Sequence, residues 1–439
     1  MSGFEIGGLA FLLLFILLAI RVPIGVSMLA VGIYGLAAVL GLKPTLNVLK
    51  TIAYDNFSSY TFSIVPLFLL MGEFATIGGV SQALFKSANT WLGHRRGGIA
   101  MAAVGGSAGF GAIAGSSLAT AATMAQVALP EMRRYGYSGA LSTGTLAAGG
   151  TLGILIPPSI VLVIYAILTE QNIAKLFAAA FIPAMITVVG YMIAIAIYVR
   201  LNPGEAQVAE RQSYAVRFRS LLDIWPVIVI FVLVIGGIYG GIFTPTEAAA
   251  VGAFGTGLLA LARGKLTWET LSSSIFNTAR TTGMIFLIVL GAAVINRFLA
   301  VTRLPQFLAD NIAAWQVAPM VILSTILLIY VLLGFVMDSL SMILLTTPIF
   351  FPIITSLDFG MTLEETAIWF GILTLVVVEV GLITPPVGLN VYIINSLAKD
   401  VPMMDTFRGV VPFIIADLSR IVLFTAFPAL TLAAIWWFF

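Results

Sequence analysis

The chain has 439 residues, of which 60% are hydrophobic and only 9% are charged, and its mean hydropathy is +1.09. Because a soluble domain carries about 25% charged residues, this composition excludes an ordinary soluble protein and predicts an all-α polytopic membrane protein. A formal net charge of +2 without a long basic tail gives no sign of a nucleic-acid partner, and the lack of cysteine excludes disulfides and thiol chemistry.

Apolar runs in the first half approach the roughly 20 residues that a membrane-spanning helix needs. In chain order they predict helices near residues 4–20, 24–42, 60–80, 139–168 and 175–199. Residues 97–130 are also apolar, but Gly115, Ser116 and Ser117 interrupt them. We predict a re-entrant hairpin of two half-length helices here, since a polar tip at membrane depth must be buried in protein or line a cavity.

The fourth helix of this half, at residues 139–168, is predicted to break. Gly153 is followed by Pro157 and Pro158 inside an apolar stretch, and prolines there interrupt the hydrogen bonds of a helix. Residues 1–200 are therefore expected to form one unit, which is followed by a cytoplasmic linker at residues 201–223.

The second half, residues 224–439, shows the same order. Its predicted helices lie near residues 224–242, 245–262, 281–301, 362–397 and 411–437. A second re-entrant hairpin is predicted at residues 317–356, with Asp338 and Ser339 at its tip, and the helix at 362–397 breaks at Pro385 and Pro386. The last helix contains Pro428, so an irregular end and an eleventh crossing stay open.

Four matches in the same order indicate that the second half repeats the first. The phrase Gly-x-x-x-Pro-Pro occurs at Gly153 and again 228 residues later at Gly381. The other matches pair Pro23 with Pro245, Phe74 with Phe298, and Phe110 with Leu333, at offsets of 222, 224 and 223. The last offset places Asp338 opposite Gly115. Each match is weak alone, but their order indicates an ancient duplication.

Five crossings in each half would place the two halves in opposite orientations, and the positions of Lys and Arg test this. With the N-terminus outside, the predicted cytoplasmic segments hold 15 basic residues and the outer segments hold 4. The first hairpin is therefore expected to open from the cytoplasm and the second from outside.

Two tips and two breaks related by inverted symmetry would meet near the middle of the membrane, as at the binding sites of secondary transporters. Hydroxyl and carbonyl oxygens suit Na⁺, and the free N–H groups at the starts of half-helices suit a carboxylate. The predicted sodium ligands are Ser116, Ser117, Gly150, Thr151, Asp338, Ser339, Gly381 and Thr384. The predicted substrate contacts are Ser116, Pro157, Pro158, Ser339, Pro385 and Pro386.

Charged residues at membrane depth are costly and so point to function. Asp338 is the sharpest candidate, as a sodium ligand or a local counter-charge. Glu379 is its rival, but an internal hydrogen bond or an ion pair explains Glu379 better than a ligand role. Asp417 and Arg420, three residues apart on one helix face, are expected to pair with each other. For glycines such as Gly105 and Gly109, close helix packing is the better explanation.

Two other functional classes fit less well. An intramembrane enzyme is disfavoured because the chain has one histidine, no cysteine and no H-E-x-x-H or G-x-S-x-G motif. A channel is disfavoured because two broken hairpins suit a closed site with bound ions. No catalytic or cofactor-binding residue is assigned.

These motifs resemble the large membrane subunit, the DctM-like M type, of TRAP (tripartite ATP-independent periplasmic) transporters. The segments that carry the resemblance are Phe110 to Thr120, Leu129 to Met132 and Gly153 to Pro158, then Met337-Asp338, Thr347 to Phe350 and Gly381 to Gly388. The resemblance covers nearly the whole chain.

The resemblance implies the elevator architecture of the ion-transporter superfamily, with about 10–11 transmembrane helices. In such a transporter the hairpins and broken helices slide against a fixed scaffold. It also implies two partners, a small four-helix membrane subunit and a periplasmic substrate-binding protein, and uptake of an organic acid driven by sodium ions. The expected location is a bacterial or archaeal cytoplasmic membrane. A stand-alone sodium–anion symporter of the related divalent-anion group is the alternative.

Overall fold

The computed structural model describes residues 3–307, 311, 317–335 and 337–439, and every regular element among them is helical. The helices of the first half are Gly3–Ala19, Ile24–Leu40, Leu42–Ser58, Ile64–Ile77, Val80–Leu92, Gly98–Ala114, Ser117–Arg134, Gly139–Leu155, Ile160–Thr169 and Ile173–Leu201. Those that follow are Tyr214–Leu222, Trp225–Phe231, Gly237–Tyr239, Pro245–Ala262, Trp268–Thr302, Pro319–Gly334, Ser339–Thr355, Leu363–Ile383, Leu389–Leu397, Met403–Ala426 and Ala429–Phe438.

Within the described ranges, five helices are each long and apolar enough to cross a membrane: Tyr60–Ile77, Ile173–Leu201, Trp268–Thr302, Leu363–Ile383 and Met403–Ala426. Two bent helix pairs raise that number to seven, and further apolar helices have 10–17 residues. The protein is thus an all-helical, multi-pass membrane protein. The count of 10–11 crossings and the division at residues 200 and 223 stay predictions.

Two hairpins and two broken helices form the centre of the molecule. Hairpin 1 consists of Gly98–Ala114 and Ser117–Arg134, and hairpin 2 of Pro319–Gly334 and Ser339–Thr355. Broken helix 1 consists of Gly139–Leu155 and Ile160–Thr169, whose axes differ by 42°. Broken helix 2 consists of Leu363–Ile383 and Leu389–Leu397.

The two hairpins enter from opposite ends of the molecule. Hairpin 1 ends where Arg133 pairs with Asp400, which follows broken helix 2. Hairpin 2 ends where the ring of Phe359 packs edge-on against Trp369, near the start of broken helix 2, with ring centroids 5.3 Å apart. Broken helix 2 starts at the end of the molecule where hairpin 2 ends and finishes at the end where hairpin 1 ends. The two hairpins therefore point toward each other, as inverted repeats require.

Each hairpin approaches its broken helix through a pair of glycines. A Cβ atom built on Gly111 would lie 2.8 Å from the Cα of Gly153, and one built on Gly334 would lie 2.8 Å from the Cα of Gly381. Only glycine allows backbones this close. The same crossing therefore occurs in both halves and holds each tip beside a break.

Four helices on one side, which we call the frame helices, pack in two pairs. Trp268–Thr302 packs along Ile24–Leu40, and Pro245–Ala262 packs along Ile64–Ile77. Gly72 of the frame lies against the end of the first hairpin helix, since a Cβ there would be 3.2 Å from the Cα of Ala114. The frame helices therefore touch the hairpin beside its tip.

The last predicted helix, at residues 411–437, is divided at Pro428, an irregularity that the sequence left open. The helix Met403–Ala426 ends before Pro428, and a second helix, Ala429–Phe438, follows. Proline ends a helix because it lacks the N–H donor and its ring clashes with the preceding turn. The helix predicted at residues 281–301 also starts earlier, at Trp268.

Helices that the apolar pattern did not predict carry charged residues among their apolar ones. Leu42–Ser58 contains Lys43, Lys50 and Asp55, and Val80–Leu92 contains Lys86. The apolar residues of an amphipathic helix recur every three to four positions instead of forming a continuous run. A search for long apolar runs therefore passes over such helices.

Candidate functional site

Each hairpin tip is a helix start capped by a side chain. Ser116 accepts a hydrogen bond from the Ala119 amide at 3.4 Å, and Asp338 accepts one from the Ser341 amide at 3.1 Å. A serine or aspartate in this place satisfies an N–H group that the helix leaves free. The capping role of Asp338 is a structural reason for its presence that the sequence did not reveal.

The equivalence of the two tips differs from the one inferred from the sequence. Asp338 caps its helix as Ser116 caps the first, so its structural partner is Ser116 and not Gly115. Gly115 instead ends the preceding helix, with φ at +61°, a left-handed conformation that favours glycine. Two residues, 115–116, separate the helices of hairpin 1, and four, 335–338, separate those of hairpin 2.

The carboxylate of Glu379 joins the two tips. The Ser117 hydroxyl donates to Glu379 and lies 2.9 Å from both of its carboxylate oxygens. The Ser339 hydroxyl donates to Oε1 of the same carboxylate, also at 2.9 Å. Glu379 is 1% exposed, so a buried acid on broken helix 2 holds both hairpins.

Two helix starts lie beside the carboxylate of Glu379. Ser117 and Ser339 are the first residues of the helices that lead away from the tips. Helix N-termini carry a partial positive charge, so both helices stabilise an anion placed between them. The two half-helix starts thus converge on one point, as the sequence predicted.

A cavity of about 150 Å³ lies beside this junction. It is lined by four of the predicted site residues, Ser116, Ser117, Asp338 and Ser339. Leu69, Thr281, Met284 and Ile285 of the frame helices line it as well. The structure therefore brings both tips together against the frame.

The other predicted sodium ligands do not line this cavity. Thr151 lies within hydrogen-bond distance of the Ala148 carbonyl, at 2.6 Å, and of the Tyr191 hydroxyl, at 3.0 Å. The Thr384 hydroxyl donates to the Val380 carbonyl at 2.6 Å. Both hydroxyls thus have partners outside the cavity. The sequence could not show this, since the position of a break does not tell which face of the helix meets the tip.

Gly150 and Gly381 serve close packing. A Cβ on Gly150 would lie 2.6 Å from the Cβ of Ala121, and one on Gly381 would lie 2.5 Å from the Cα of Gly334. A side chain at either position would push the neighbouring hairpin away, so these glycines hold the shape of the site by allowing close contact.

The proline pairs mark the breaks but do not line the cavity. Both Pro157-Pro158 and Pro385-Pro386 are joined by cis peptide bonds. Pro157 and Pro158 are buried, whereas Pro385 and Pro386 are exposed. The predicted substrate contacts of all four prolines therefore have no support from the cavity geometry.

A second buried polar network lies behind broken helix 1. Arg420 and Asp417 form an ion pair with an N–O distance of 3.0 Å, and their side chains are 4% and 0% exposed. Tyr191 donates to Asp417 at 3.0 Å, and Arg420 also contacts Thr187. The expected pairing is confirmed, and the hydroxyl of Thr151 joins the network through Tyr191.

Two buried oxygens near the first tip were missed by sequence reasoning. Thr120 Oγ1 and Asn390 Oδ1 have no hydrogen-bond partner among the described residues. A Cβ built on Gly153 would contact both Thr120 Oγ1 and the Ser116 carbonyl oxygen, and Asn390 lies beside Gly150. Buried unsatisfied oxygens grouped with hydroxyls fit a hard cation such as Na⁺. Both residues lie in helices with several other polar side chains, so the sequence pattern does not single them out.

Comparisons with known proteins agree with this architecture. A family model described as "Tripartite ATP-independent periplasmic transporter, DctM component" matches residues 11–430. Among solved structures, the Alcanivorax borkumensis YdaH transporter has a TM-score of 0.62 at 15% identity, covering 88% of this chain and 89% of its own. Neisseria gonorrhoeae MtrF has a TM-score of 0.54 at 14% identity, covering 89% and 85%. At these identities the likeness concerns the fold alone.

Curated relatives are similar over most of the chain. The C4-dicarboxylate TRAP transporter large permease protein DctM of Pseudomonas aeruginosa is 36% identical, with 92% of this chain and 93% of the relative covered. The sialic acid large permease protein SiaM of Vibrio cholerae is 30% identical, with 95% of each covered. The isethionate permease protein DctMQ of Oleidesulfovibrio alaskensis is 29% identical, with 94% of this chain but only 64% of the relative covered. The chain belongs to the DctM family, the large permease component of TRAP transporters, and is a transport protein rather than an enzyme.

Proposed function

We propose that this chain is the large permease subunit of a TRAP transporter that takes up an organic acid, driven by a sodium gradient. The observation that carries the proposal is the convergence of the two tips, where Ser117 and Ser339 meet on the carboxylate of Glu379 at 2.9 Å. Two half-helix starts and several hydroxyls at one buried point suit an ion and an anionic substrate together.

Charge favours a cation here. Glu379 and Asp417 are buried acids, and Arg420 is the buried base of the same region. If both acids are ionised, one negative charge in the low-dielectric interior lacks a counter-charge, which is costly. A bound Na⁺ would neutralise it, with Ser116, Ser117, Asp338 and Ser339 supplying oxygens from the cavity side.

We propose that Thr120 and Asn390 contribute to the sodium site at the first tip. Their side-chain oxygens are buried and lack partners in the described structure. Thr120 replaces the predicted ligand Thr151, whose hydroxyl is engaged with Tyr191. A cation held beside the tips would in turn attract the carboxylate of a substrate.

The small size of the cavity indicates that the hairpin tips must move to admit a substrate. About 150 Å³ is below the roughly 300–1,000 Å³ of ordinary ligand sites, so the substrate needs the tips and the frame to separate. We propose an elevator motion in which the hairpins and broken helices slide along the frame helices. The contact between Gly72 and Ala114 would then be made and broken in each cycle.

We propose two partners, a small four-helix membrane subunit and a periplasmic substrate-binding protein. The fused relative DctMQ is longer than this chain, which covers 64% of it, and the remaining length leaves room for the small subunit. The location proposed is the cytoplasmic membrane of a bacterium, with hairpin 1 opening to the cytoplasm.

The proposed substrate is a small organic anion that the binding protein selects. The relatives' names include C4-dicarboxylate, sialic acid and isethionate. What these share is an acidic group, a carboxylate or a sulfonate, on a small polar molecule. The cognate binding protein, purified and screened against organic acids by thermal shift, would identify the compound.

Reconstitution tests the proposal. The chain and its small subunit are placed in liposomes with an inward sodium gradient, and uptake is measured with and without the cognate binding protein. We expect uptake only when both sodium and the binding protein are present, with potassium as the control ion. Uptake by the chain alone would establish the stand-alone symporter instead, and uptake without sodium would refute ion coupling.

A further inference from the structure

The acid that joins the two tips has a role beyond holding them together. Ser117 belongs to hairpin 1 and Ser339 to hairpin 2, yet both hydroxyls donate to Glu379. The first of these contacts joins residues 262 positions apart in the chain. One carboxylate thus serves both halves of the proposed sodium site.

A hydroxyl that donates its proton in a fixed direction also has fixed lone pairs. A serine oxygen has one O–H donor and two acceptor lone pairs. When the proton of Ser117 or Ser339 points at Glu379, the lone pairs point elsewhere, and both serines also line the 150 Å³ cavity. A hydrogen bond to a carboxylate further raises the electron density on a donor oxygen.

The two halves of the chain differ at the position that Glu379 occupies. The repeat offset of 228 that matches Gly153 with Gly381 places Thr151 opposite Glu379. The Thr151 hydroxyl lies 3.0 Å from the Tyr191 hydroxyl and 2.6 Å from the Ala148 carbonyl, whereas Glu379 accepts from a serine of each tip. The second half therefore supplies the one carboxylate that both tips use.

We propose that Glu379 is a positioning residue that turns the hydroxyl oxygens of Ser117 and Ser339 toward bound cations and thereby couples the sodium sites of the two hairpins. The inference rests on the sodium-driven transport proposed above. Groups behind the direct ligands of a metal fix ligand orientation, and their loss typically costs about 10- to 100-fold in affinity.

The test is Glu379→Gln in the reconstituted complex, with initial uptake measured over a range of sodium concentrations. The amide of glutamine is uncharged, so it accepts from the serines more weakly than a carboxylate does. Its NH₂ also replaces one carboxylate oxygen, and Ser117 lies 2.9 Å from both oxygens of Glu379, so the hydroxyl of Ser117 meets a donor group there. We expect the sodium concentration for half-maximal uptake to rise about 10-fold or more. We also expect the Hill coefficient to fall toward one, with the maximal rate regained at high sodium.

Glu73→Gln is the matched control. Glu73 is an acid within the span Tyr60–Ile77 of the frame helices, and its nearest hydrogen-bond partner is Asn277 at 3.5 Å. Because Glu73 touches neither tip serine, its variant should keep the sodium concentration for half-maximal uptake of the wild type.

Double variants distinguish a positioning role of Glu379 from a general loss of stability. Ser117→Ala and Ser339→Ala should each raise the sodium concentration for half-maximal uptake, and combining either with Glu379→Gln should add little, because the three residues act as one unit. A purely structural role would lower thermal stability while leaving the sodium dependence of folded protein unchanged. That result, or fully additive effects, would overturn the inference.

The same measurements separate a failure of the proposed function from a failure of the coupling role. If wild-type uptake ignores sodium, the proposed function fails. If wild-type uptake needs sodium and Glu379→Gln keeps the same sodium dependence, the coupling role alone fails. Should Glu379→Gln not fold, Glu379→Asp keeps the charge but is too short to reach both serines. It must then show the lower Hill coefficient, and an unchanged coefficient refutes the role.

Discussion

At the scale of single residues, the tips show how one side chain combines a local and a distant role. Asp338 caps its helix through the Ser341 amide at 3.1 Å and also lines the cavity. The first role belongs to folding and the second to the proposed ion binding. Substitutions that preserve one role and remove the other can separate them.

Asp338→Asn should keep the fold and weaken transport. Asparagine caps helices about as well as aspartate, whereas alanine costs about 1 kcal/mol. We expect Asp338→Asn to melt at the wild-type temperature but to need more sodium for uptake, and Asp338→Ala to lose stability as well. An unchanged sodium dependence of uptake in Asp338→Asn would show that its charge has no part in ion binding.

Asp417→Asn should destabilise the protein strongly. It leaves Arg420, 4% exposed, without its ionic partner, and breaking a buried pair costs roughly 3–5 kcal/mol. Replacing both residues, as in Asp417→Asn with Arg420→Met, should recover much of the loss. Thermal unfolding of purified protein in detergent measures both, and equal stability of the single variant and wild type would contradict the argument.

At the scale of elements, the hairpins and breaks were predictable because their signals are local. A pair of prolines or a Gly-Ser-Ser sequence inside an apolar run changes the backbone wherever it occurs. The junction at Glu379 was not predictable, since it joins residues 262 positions apart. The contacts of Thr151 with Ala148 and Tyr191 were unpredictable for a related reason, because the face of a helix that meets a neighbour depends on packing across the whole chain.

Gly381→Ala tests the glycine crossing between hairpin 2 and broken helix 2. The new Cβ would lie 2.5 Å from the Cα of Gly334, so the backbones must separate, at a cost of about 1–3 kcal/mol. Gly190→Ala is the control, because a Cβ there has no atom within 4 Å. We expect lower thermal stability and lower uptake in the first variant alone; equal behaviour of the two would argue against the crossing.

At the scale of the whole molecule, the proposed motion requires hairpin 1 to slide past the helix Val80–Leu92. That helix follows the frame helix Ile64–Ile77 after a two-residue turn, and the Gly78 carbonyl of this turn accepts a hydrogen bond at 2.7 Å from Arg263 Nη1, at the end of the frame helix Pro245–Ala262. A link between the helix and the hairpin should therefore stop transport.

The natural chain has no cysteine, so a designed disulfide can provide this link. A Cβ on Gly105 would lie 3.8 Å from the Cβ of Ala88, close to the mean separation in disulfides. We expect Ala88→Cys with Gly105→Cys to lose uptake on oxidation and regain it on reduction, while each single variant is insensitive to oxidant. Full uptake after complete cross-linking would refute a sliding hairpin 1.

The helix Leu363–Ile383 is apolar enough to cross a membrane, yet its membrane-length window is completely buried inside the protein. By contrast, only 39% of the corresponding window of Ile173–Leu201 is buried. Lipids of different length or headgroup act directly on helices of the second kind. The membrane-length window of the helix that carries Glu379 is enclosed by protein, so the proposed ion site is shielded from the lipid composition of whichever membrane holds it.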